Sequence, residues 1–451
     1  MTAGPASGNE VPVIERLPQN RDVWRIAAPL VVSNVSVPLL GMVDTGVTGH
    51  LEDASYLGAV AIGGAVFSFL YTGVNFLRMG TTGIAAQACG ARDDDALRTA
   101  LGQALVVAAG IALVLLLLRT PLAELGIGLL GPDPGIAPHA RDYIGIRIWS
   151  APATLAGYAL IGWFIGLQNA RVPLYIVLVT NVTNIALDLL FVVVFDFRVQ
   201  GVAAASVIAE YTGAATGFAF VAAELRRRGG RWHRARLTSV RAYAAFFAIN
   251  AHLFVRTMAL VFTFAFITSQ GARLGTLVLA ANAVLMNLQH LLSFALDGLA
   301  HAAEALAGRA VGEKNTAALQ RAVTLTLRWS LAVAAGFSLV YALGGPVAIR
   351  LLTDLPGVRG AALEYLPWMV VSPLVSVWSF LYDGVFVGAT RARAMRDIML
   401  VSAFGVFMPA WYLLLPLGNH GLWLAFTLFM ASRGVGMHAY DRRRVLGAAG
   451  G

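Results

Sequence analysis

One carboxylate interrupts a long apolar stretch near the start of the chain. In PLLGMVDTGVTGHL, residues 38–51, Asp44 is the only acid among side chains that otherwise suit lipid. A charged side chain near the centre of a bilayer costs about 2.5–3.5 kcal/mol on insertion scales, so such residues usually face a bundle interior or a wet cavity. Asp44 is therefore a candidate for exchanging a cation. The alternative is that its side chain only reaches the nearby membrane surface.

A second acid lies on a polar stripe in NVTNIALDLLF, residues 181–191. Asn181, Asn184 and Asp188 occupy positions i, i+3 and i+7, which share one face of a helix. At a rise of about 1.5 Å per residue, Asp44 lies roughly 9 Å and Asp188 roughly 12 Å below the same membrane surface. The two acids are therefore expected at similar depths.

Two further oxygen-bearing side chains are expected at this level. Tyr143 lies near the outer start of the fourth apolar segment, and Ser206 lies about five residues into the sixth. Burial and a neighbouring carboxylate both favour the protonated form of a carboxyl group. Asp44 and Asp188 are thus expected to titrate as a coupled pair close to physiological pH.

The composition indicates the elements that position these residues. Of the 451 residues, 58% are hydrophobic and only 13% are charged, whereas soluble domains carry about a quarter of charged residues. Since backbone groups in lipid must bond within their own segment, the apolar windows are expected to be helices. The sequence predicts an all-α integral membrane protein with twelve spans: 23–49, 55–80, 97–118, 142–166, 172–195, 201–224, 241–269, 275–300, 318–343, 361–388, 395–416 and 420–440.

The basic residues predict the orientation of these spans. With the N-terminus inside, 23 of the 33 Lys and Arg residues fall on the cytoplasmic side, six fall outside, and four lie within spans. The positive-inside rule therefore predicts a multi-pass protein of the cell inner membrane with both termini cytoplasmic. The most basic segment, RRRGGRWHRAR (226–236), is expected to be a cytoplasmic linker.

That linker separates two copies of one unit at an offset of 222 residues. GARDDDALRTA (90–100) aligns with GEKNTAALQRA (312–322), and GLQNARVP (166–173) aligns with GATRARAM (388–395). Six helices per copy is an even number, so the copies insert in the same sense and are expected to be related by a pseudo-twofold axis along the membrane normal. The predicted organisation is an N-terminal lobe (1–225), a linker (226–240) and a C-terminal lobe (241–451).

The two lobes differ in their charged residues. Asp44 aligns with a phenylalanine, so the cation site is expected in the N-terminal lobe alone. In the C-terminal lobe Arg256 could pair with Asp297 and Glu304. Asp383 could attract a cationic substrate or serve helix packing. Pro38, six residues before Asp44, could act as a hinge or as a static bend.

Several motifs resemble the multidrug and toxic compound extrusion (MATE) transporters. They are VPLLGMVDTGVTGHL, the Asn-x-x-x-Asp of the fifth span, and, for the DinF branch in particular, FVRTMAL, LDGLAHAAEALAGRAVG and FLYDGVFVGATRARAMR. The resemblance covers essentially the whole chain. It implies that Asp44 is the protonatable residue of the N-terminal lobe, supported by a hydrogen-bond network of Tyr143, Asn184 and Asp188. Ser206 stands where relatives often carry Thr, which keeps the hydroxyl.

The function expected from these features is proton-coupled, or possibly Na⁺-coupled, export of organic and cationic amphipathic compounds. The chain has no phosphate-binding loop, no nucleophile–base constellation and no metal-ligand spacing, so neither ATP-driven transport, an enzyme nor a bound cofactor is expected; Na⁺ could bind at Asp44 and Asp188. The expected partners are small organic compounds and the lipid bilayer, without nucleic acid, and the chain is expected to be a monomer. The rival function is a lipid-linked precursor flippase, which favours a basic cavity. The arginines within the predicted spans, however, are few and scattered.

Overall fold

The computed structural model of the chain describes residues 17–49 and 53–444, and within the first helix it describes side chains up to residue 36. These residues form helices and their connections, and no strand occurs among them. Twelve long helices make two lobes of six, which confirms the predicted fold class.

The first six helices form the N-terminal lobe and the last six form the C-terminal lobe. Their bounds are α1 Asn20–Gly49, α2 Ala54–Val74 and Phe76–Gly90, α3 Asp94–Leu117, α4 Ala137–Arg147 and Ala151–Gly166, α5 Arg171–Asp188 continued by Leu189–Val194, α6 Arg198–Arg228, α7 Ala244–Arg273, α8 Thr276–Gly312, α9 Thr316–Leu352, α10 Pro356–Gly388, α11 Ala392–Leu400 and Met408–Leu414, and α12 Gly418–Arg444.

Nine stretches of the described chain are long and apolar enough to cross a membrane, and the last of them, Ala392–Arg442, contains both α11 and α12. α1 and α6 are less apolar. Several helices extend beyond their predicted spans, most of all α2 and α8, whose ends carry small and polar residues past the apolar window. We call the end of the bundle where α1 begins and α12 ends the terminal side.

The predicted offset of 222 residues is visible in the local backbone. Asp93 caps α3 by accepting a hydrogen bond of 2.8 Å from the backbone N–H of Ala96, and Asn315 caps α9 in the same way with Ala318 at 2.8 Å. Both caps satisfy N–H groups that a helix start leaves unpaired. Residues with left-handed backbone recur at the same offset: Arg92 with Lys314, and Gln168 with Thr390.

The two lobes meet backbone to backbone on the terminal side. A Cβ added to Gly90 would lie 2.1 Å from the carbonyl oxygen of Arg309, and one added to Gly312 would lie 2.1 Å from that of Gln87. These two contacts are related by the repeat. Because backbone carbonyls cannot move aside as side chains do, only glycine fits here. We call these four residues the interlobe seam.

Polar contacts surround the interlobe seam. The amide of Gln87 in α2 donates to the carbonyl of Gly388 at 3.0 Å and to the Thr390 hydroxyl at 3.1 Å. At the repeat-related position, Arg309 donates to the side chain of Gln168 at 3.3 Å. The lobes are therefore in direct contact on the terminal side, and any opening there must separate these groups.

The basic linker is held against α3. α6 continues to Arg228, so three arginines of the predicted linker form its last turn, where cations oppose the helix dipole. Asp95 accepts hydrogen bonds of 2.6 Å from the backbone N–H of Arg231 and 2.6 Å from the His233 ring. Arg98 donates to the carbonyls of Leu225 and Gly229, both at 2.6 Å.

These contacts predict that Asp95→Ala frees the linker from α3. The substitution removes the acceptor for both linker groups, so backbone amides around Arg231 and His233 should exchange hydrogen several-fold faster than in the wild type, while the helices remain protected. Hydrogen–deuterium exchange measures this. The matched control is Arg234→Ala, since the Arg234 side chain makes no hydrogen bond or ion pair with the described residues. Unchanged linker exchange in Asp95→Ala would contradict the prediction.

Candidate functional site

Two residues of the predicted polar stripe form a buried pair in α5. The side-chain amide of Asn184 donates to Oδ2 of Asp188, and the two residues are 3% and 0% exposed. Their spacing of four residues places them on one helix face, as the sequence predicts. A turn of π-helix begins immediately after Asp188, a distortion common at functional sites. A buried carboxylate is thus held in one orientation.

The third residue of the stripe connects α5 to α1. The amide of Asn181 donates to the Ser36 carbonyl at 3.2 Å and to the Ser36 hydroxyl at 3.1 Å. Both helices start on the terminal side, and Asp44 lies eight residues beyond Ser36 while Asp188 lies seven beyond Asn181. At about 1.5 Å per residue their backbones rise to similar levels. The side chains of Asp44 and Pro38 lie outside the described part of the chain.

The remaining predicted residues of the network are buried between α4 and α6. Tyr143 accepts a hydrogen bond from Arg147, one turn further along α4, which gives that arginine a partner. Glu210 of α6 lies within electrostatic range of Arg147. The Ser206 hydroxyl is buried and finds no hydrogen-bond partner among the described residues. The structure thus adds Arg147 and Glu210 to the polar interior of the N-terminal lobe.

In the C-terminal lobe the structure corrects the expected ion pairs. Arg256 of α7 donates to Asp383 of α10, not to Asp297 or Glu304. The same carboxylate oxygen accepts a bond of 2.7 Å from Arg433 of α12. Sequence spacing cannot show which helices lie side by side, and α10 brings its acid between the two arginines.

Glu304 has partners from both lobes. It lies 3.7 Å from the guanidinium of Arg78 in α2 and 3.2 Å from the ring of His301 in its own helix. Arg78 also donates to the Asn75 side chain at 3.3 Å. Because Glu304 is buried, separation of the lobes would leave its charge poorly compensated. This ion pair therefore contributes to the contact between α2 and α8.

These charged groups line a cavity of about 420 Å³ between the lobes, in which α1 and α2 face α7, α8, α10 and α12. Asp297 makes no hydrogen bond or ion pair with the described residues, in contrast to the other acids of the wall. The arginines are therefore not scattered, as the sequence had indicated. The charged lining consists of Arg78, Arg256, Arg433, Asp297, Glu304 and Asp383.

Comparison with known proteins agrees with this architecture. The model of the MatE family matches residues 29–190 and 253–413 of the chain. DNA damage-inducible protein F of Escherichia coli is 43% identical over 425 residues, which cover 94% of this chain and 92% of that protein. The chain belongs to the MatE family. The two MatE matches begin at residues 29 and 253, close to the repeat offset.

More distant relatives share the same length and shape. The probable multidrug resistance protein NorM of Rhizobium meliloti is 26% identical over 437 residues, 90% of each chain. A solved MATE protein in complex with MaD3S has a TM-score of 0.87 at 17% identity over 96% of this chain and 97% of that one. A MOP superfamily transporter from Pyrococcus furiosus has a TM-score of 0.85 at 16% identity, covering 98% and 99%. At these identities the structural likeness establishes the MatE fold alone.

The sequence analysis of this MatE-family chain missed part of the cavity wall. Arg78 follows an apolar run that ends, in the predicted spans, two residues later, so it read as a charge at the membrane boundary. The continuation of α2 to Gly90 places it well inside the helix. Arg433 and His301 had no partner at helical spacing, and contacts between distant helices give them one. An unbroken helix from 55 to 90 was the available signal for Arg78.

Proposed function

We propose that this chain is a secondary active exporter of the inner membrane that exchanges protons for organic amphipathic compounds. The observation that carries the proposal is Asp188, fully buried in a helix that Asn181 ties to α1, the helix of Asp44. A buried acid beside the helix that carries a second acid suits cation exchange. Relatives named as multidrug resistance proteins and membership of the MatE family support export.

In this mechanism Asp44 gains and loses the coupling proton. Asp188, Asn184, Tyr143 and Ser206 provide the polar surroundings in which its protonation is favourable. Neutralising one of two nearby carboxylates removes their repulsion, so α1 can repack against α5, with Pro38 as the hinge. Proton entry supplies about 2.3 kcal/mol per charge per 100 mV of membrane potential, before any pH gradient. Na⁺ at Asp44 and Asp188 is the alternative coupling ion.

The substrate class proposed is cationic amphipathic compounds bound in the cavity between the lobes. Binding sites at the interface of repeated halves are characteristic of secondary transporters. Asp297 supplies a carboxylate without a protein partner there, and Leu260, Phe264 and Phe380 supply apolar surface that accepts varied shapes. The proposal includes cytoplasmic termini, a monomer, and no cofactor or nucleic acid.

The relatives are transporters, which supports a transporter rather than an enzyme. A flippase for lipid-linked precursors is not favoured. Each cavity arginine lies beside an acid, Arg78 beside Glu304 and the other two beside Asp383. A pyrophosphate carries at least two negative charges, so it needs a larger excess of positive charge than this wall provides.

Export is tested by expressing the chain in cells that lack their own efflux pumps. Such cells should accumulate less ethidium, a fluorescent amphipathic cation, than cells with an empty vector, and a protonophore should remove the difference. Replacing Na⁺ by K⁺ in the medium should not. Equal accumulation with and without the chain, at verified membrane expression, would contradict export, and loss of the difference only without Na⁺ would replace the proton by Na⁺.

A further inference from the structure

Two buried arginines share one carboxylate in the wall of the interlobe cavity. Arg256 and Arg433 are 8% and 4% exposed, and both donate to Oδ2 of Asp383. Two guanidinium groups and one carboxylate leave this cluster with one positive charge. A buried ionic cluster with an uncompensated charge is costly unless another group meets it. The surroundings of the cluster therefore need a counter-charge.

The hydrogen-bonding capacity of the cluster is also incomplete. The Nε atoms of Arg256 and Arg433 are buried and have no hydrogen-bond partner among the described residues. An unsatisfied buried donor costs about 1–3 kcal/mol, and more when it is charged. Two such donors beside a cavity of about 420 Å³ point to an acceptor that enters from the cavity. An anion supplies both the acceptor and the missing charge.

The rest of the wall suits an anion with an apolar body. The side chains of Gln289 and His290 add polar groups near the cluster, whereas Phe264, Phe294 and Met430 are apolar. Pockets that combine apolar surface with few polar groups bind organic molecules by their shape and orient them by those groups. A carboxylate fits the planar donor fork of arginine.

We propose that the cavity binds the carboxylate of amphipathic organic acids at Arg256 and Arg433. This inference rests on the proposed export function and extends its substrates from cations to acids. Asp297 and Glu304 are the other acids of the wall. Glu304 is neutralised by Arg78 and His301, whereas Asp297 has no partner among the described residues and opposes a bound anion. The competing explanation is that the arginines only clamp α7, α10 and α12 together.

The test uses three probes with one fluorophore, measured by equilibrium binding to the purified chain in lipid nanodiscs. They are dansylglycine, its neutral methyl ester, and the cation dansylcadaverine. The wild type should bind dansylglycine more tightly than the ester. Arg433→Gln and Arg256→Gln should each weaken dansylglycine binding about tenfold, with little change for the ester. Arg228→Gln, at an ion pair outside the cavity, is the control.

Two acid substitutions separate the proposal from the clamp. Asp383→Asn removes the competing carboxylate and Asp297→Asn removes a repelling one, so both should tighten dansylglycine binding several-fold. A clamp predicts no selective gain. Asp297→Asn breaks no contact among the described residues, so it remains informative if the other variants unfold. Ester binding as tight as that of dansylglycine, or no gain in Asp297→Asn, would overturn the proposal. Because no ion gradient is used, failure of export does not affect this result.

Discussion

Asp44→Asn should reduce proton-coupled transport to the level of empty liposomes while the protein still folds and inserts. An asparagine side chain cannot take up or release a proton, so one step of the cycle is lost. The exchange also removes a charge that is costly inside a membrane, so stability should stay the same or rise. Transport is measured in proteoliposomes of matched protein content, and folding by thermal unfolding in detergent.

The control for this variant is Asp196→Asn, an acid at the loop between α5 and α6, which should transport normally. Asp188→Asn should impair transport as well, because Asn184 then loses its charged partner in the buried pair. Its effect should be smaller than that of Asp44→Asn. Transport by Asp44→Asn at the wild-type rate would remove Asp44 from the coupling mechanism.

Gly312→Val should open the terminal side of the bundle and strongly reduce transport. The new side chain would overlap the backbone carbonyl of Gln87, which lies 2.1 Å from the position of a Cβ. Overpacking of this kind costs about 1–3 kcal/mol, which shifts a two-state equilibrium by roughly 5- to 150-fold. The state described here should lose population in favour of one in which α2 and α8 are separated.

The distance between spin labels at Arg171 of α5 and Arg321 of α9 measures this opening, since the two positions lie in different lobes. For labelling, Cys89 is first replaced by serine. The matched control is Gly336→Val in α9, where an added Cβ meets no atom within 4 Å. It should leave the label distance and the transport rate unchanged. An unchanged distance in Gly312→Val would show that the interlobe seam does not hold the lobes together.

Features that repeat along one helix could be predicted from the sequence. The stripe of Asn181, Asn184 and Asp188 follows from helical geometry alone, and its last two residues form the expected contact. The offset of 222 residues also anticipated the paired caps at Asp93 and Asn315. Both depend on spacing along the chain, which the sequence contains.

Contacts between helices could not be predicted in this way. Arg256 pairs with Asp383, 127 residues away, because α7 and α10 lie side by side, and no local pattern encodes that neighbourhood. The interlobe seam is similar: the sequence aligns Gly90 with Gly312, but only the packing shows that each meets a carbonyl of the other lobe. The sequence also ended α2 before its buried continuation, which concealed the place of Arg78 in the cavity.

The most direct test of proton exchange at Asp44 is substrate-triggered ion release from proteoliposomes, with a proton gradient alone and then with a Na⁺ gradient alone. We expect ethidium to trigger proton release in the wild type and not in Asp44→Asn, and to trigger no Na⁺ release in either protein. Proton release that persists in Asp44→Asn, or exchange driven by the Na⁺ gradient alone, would contradict the account.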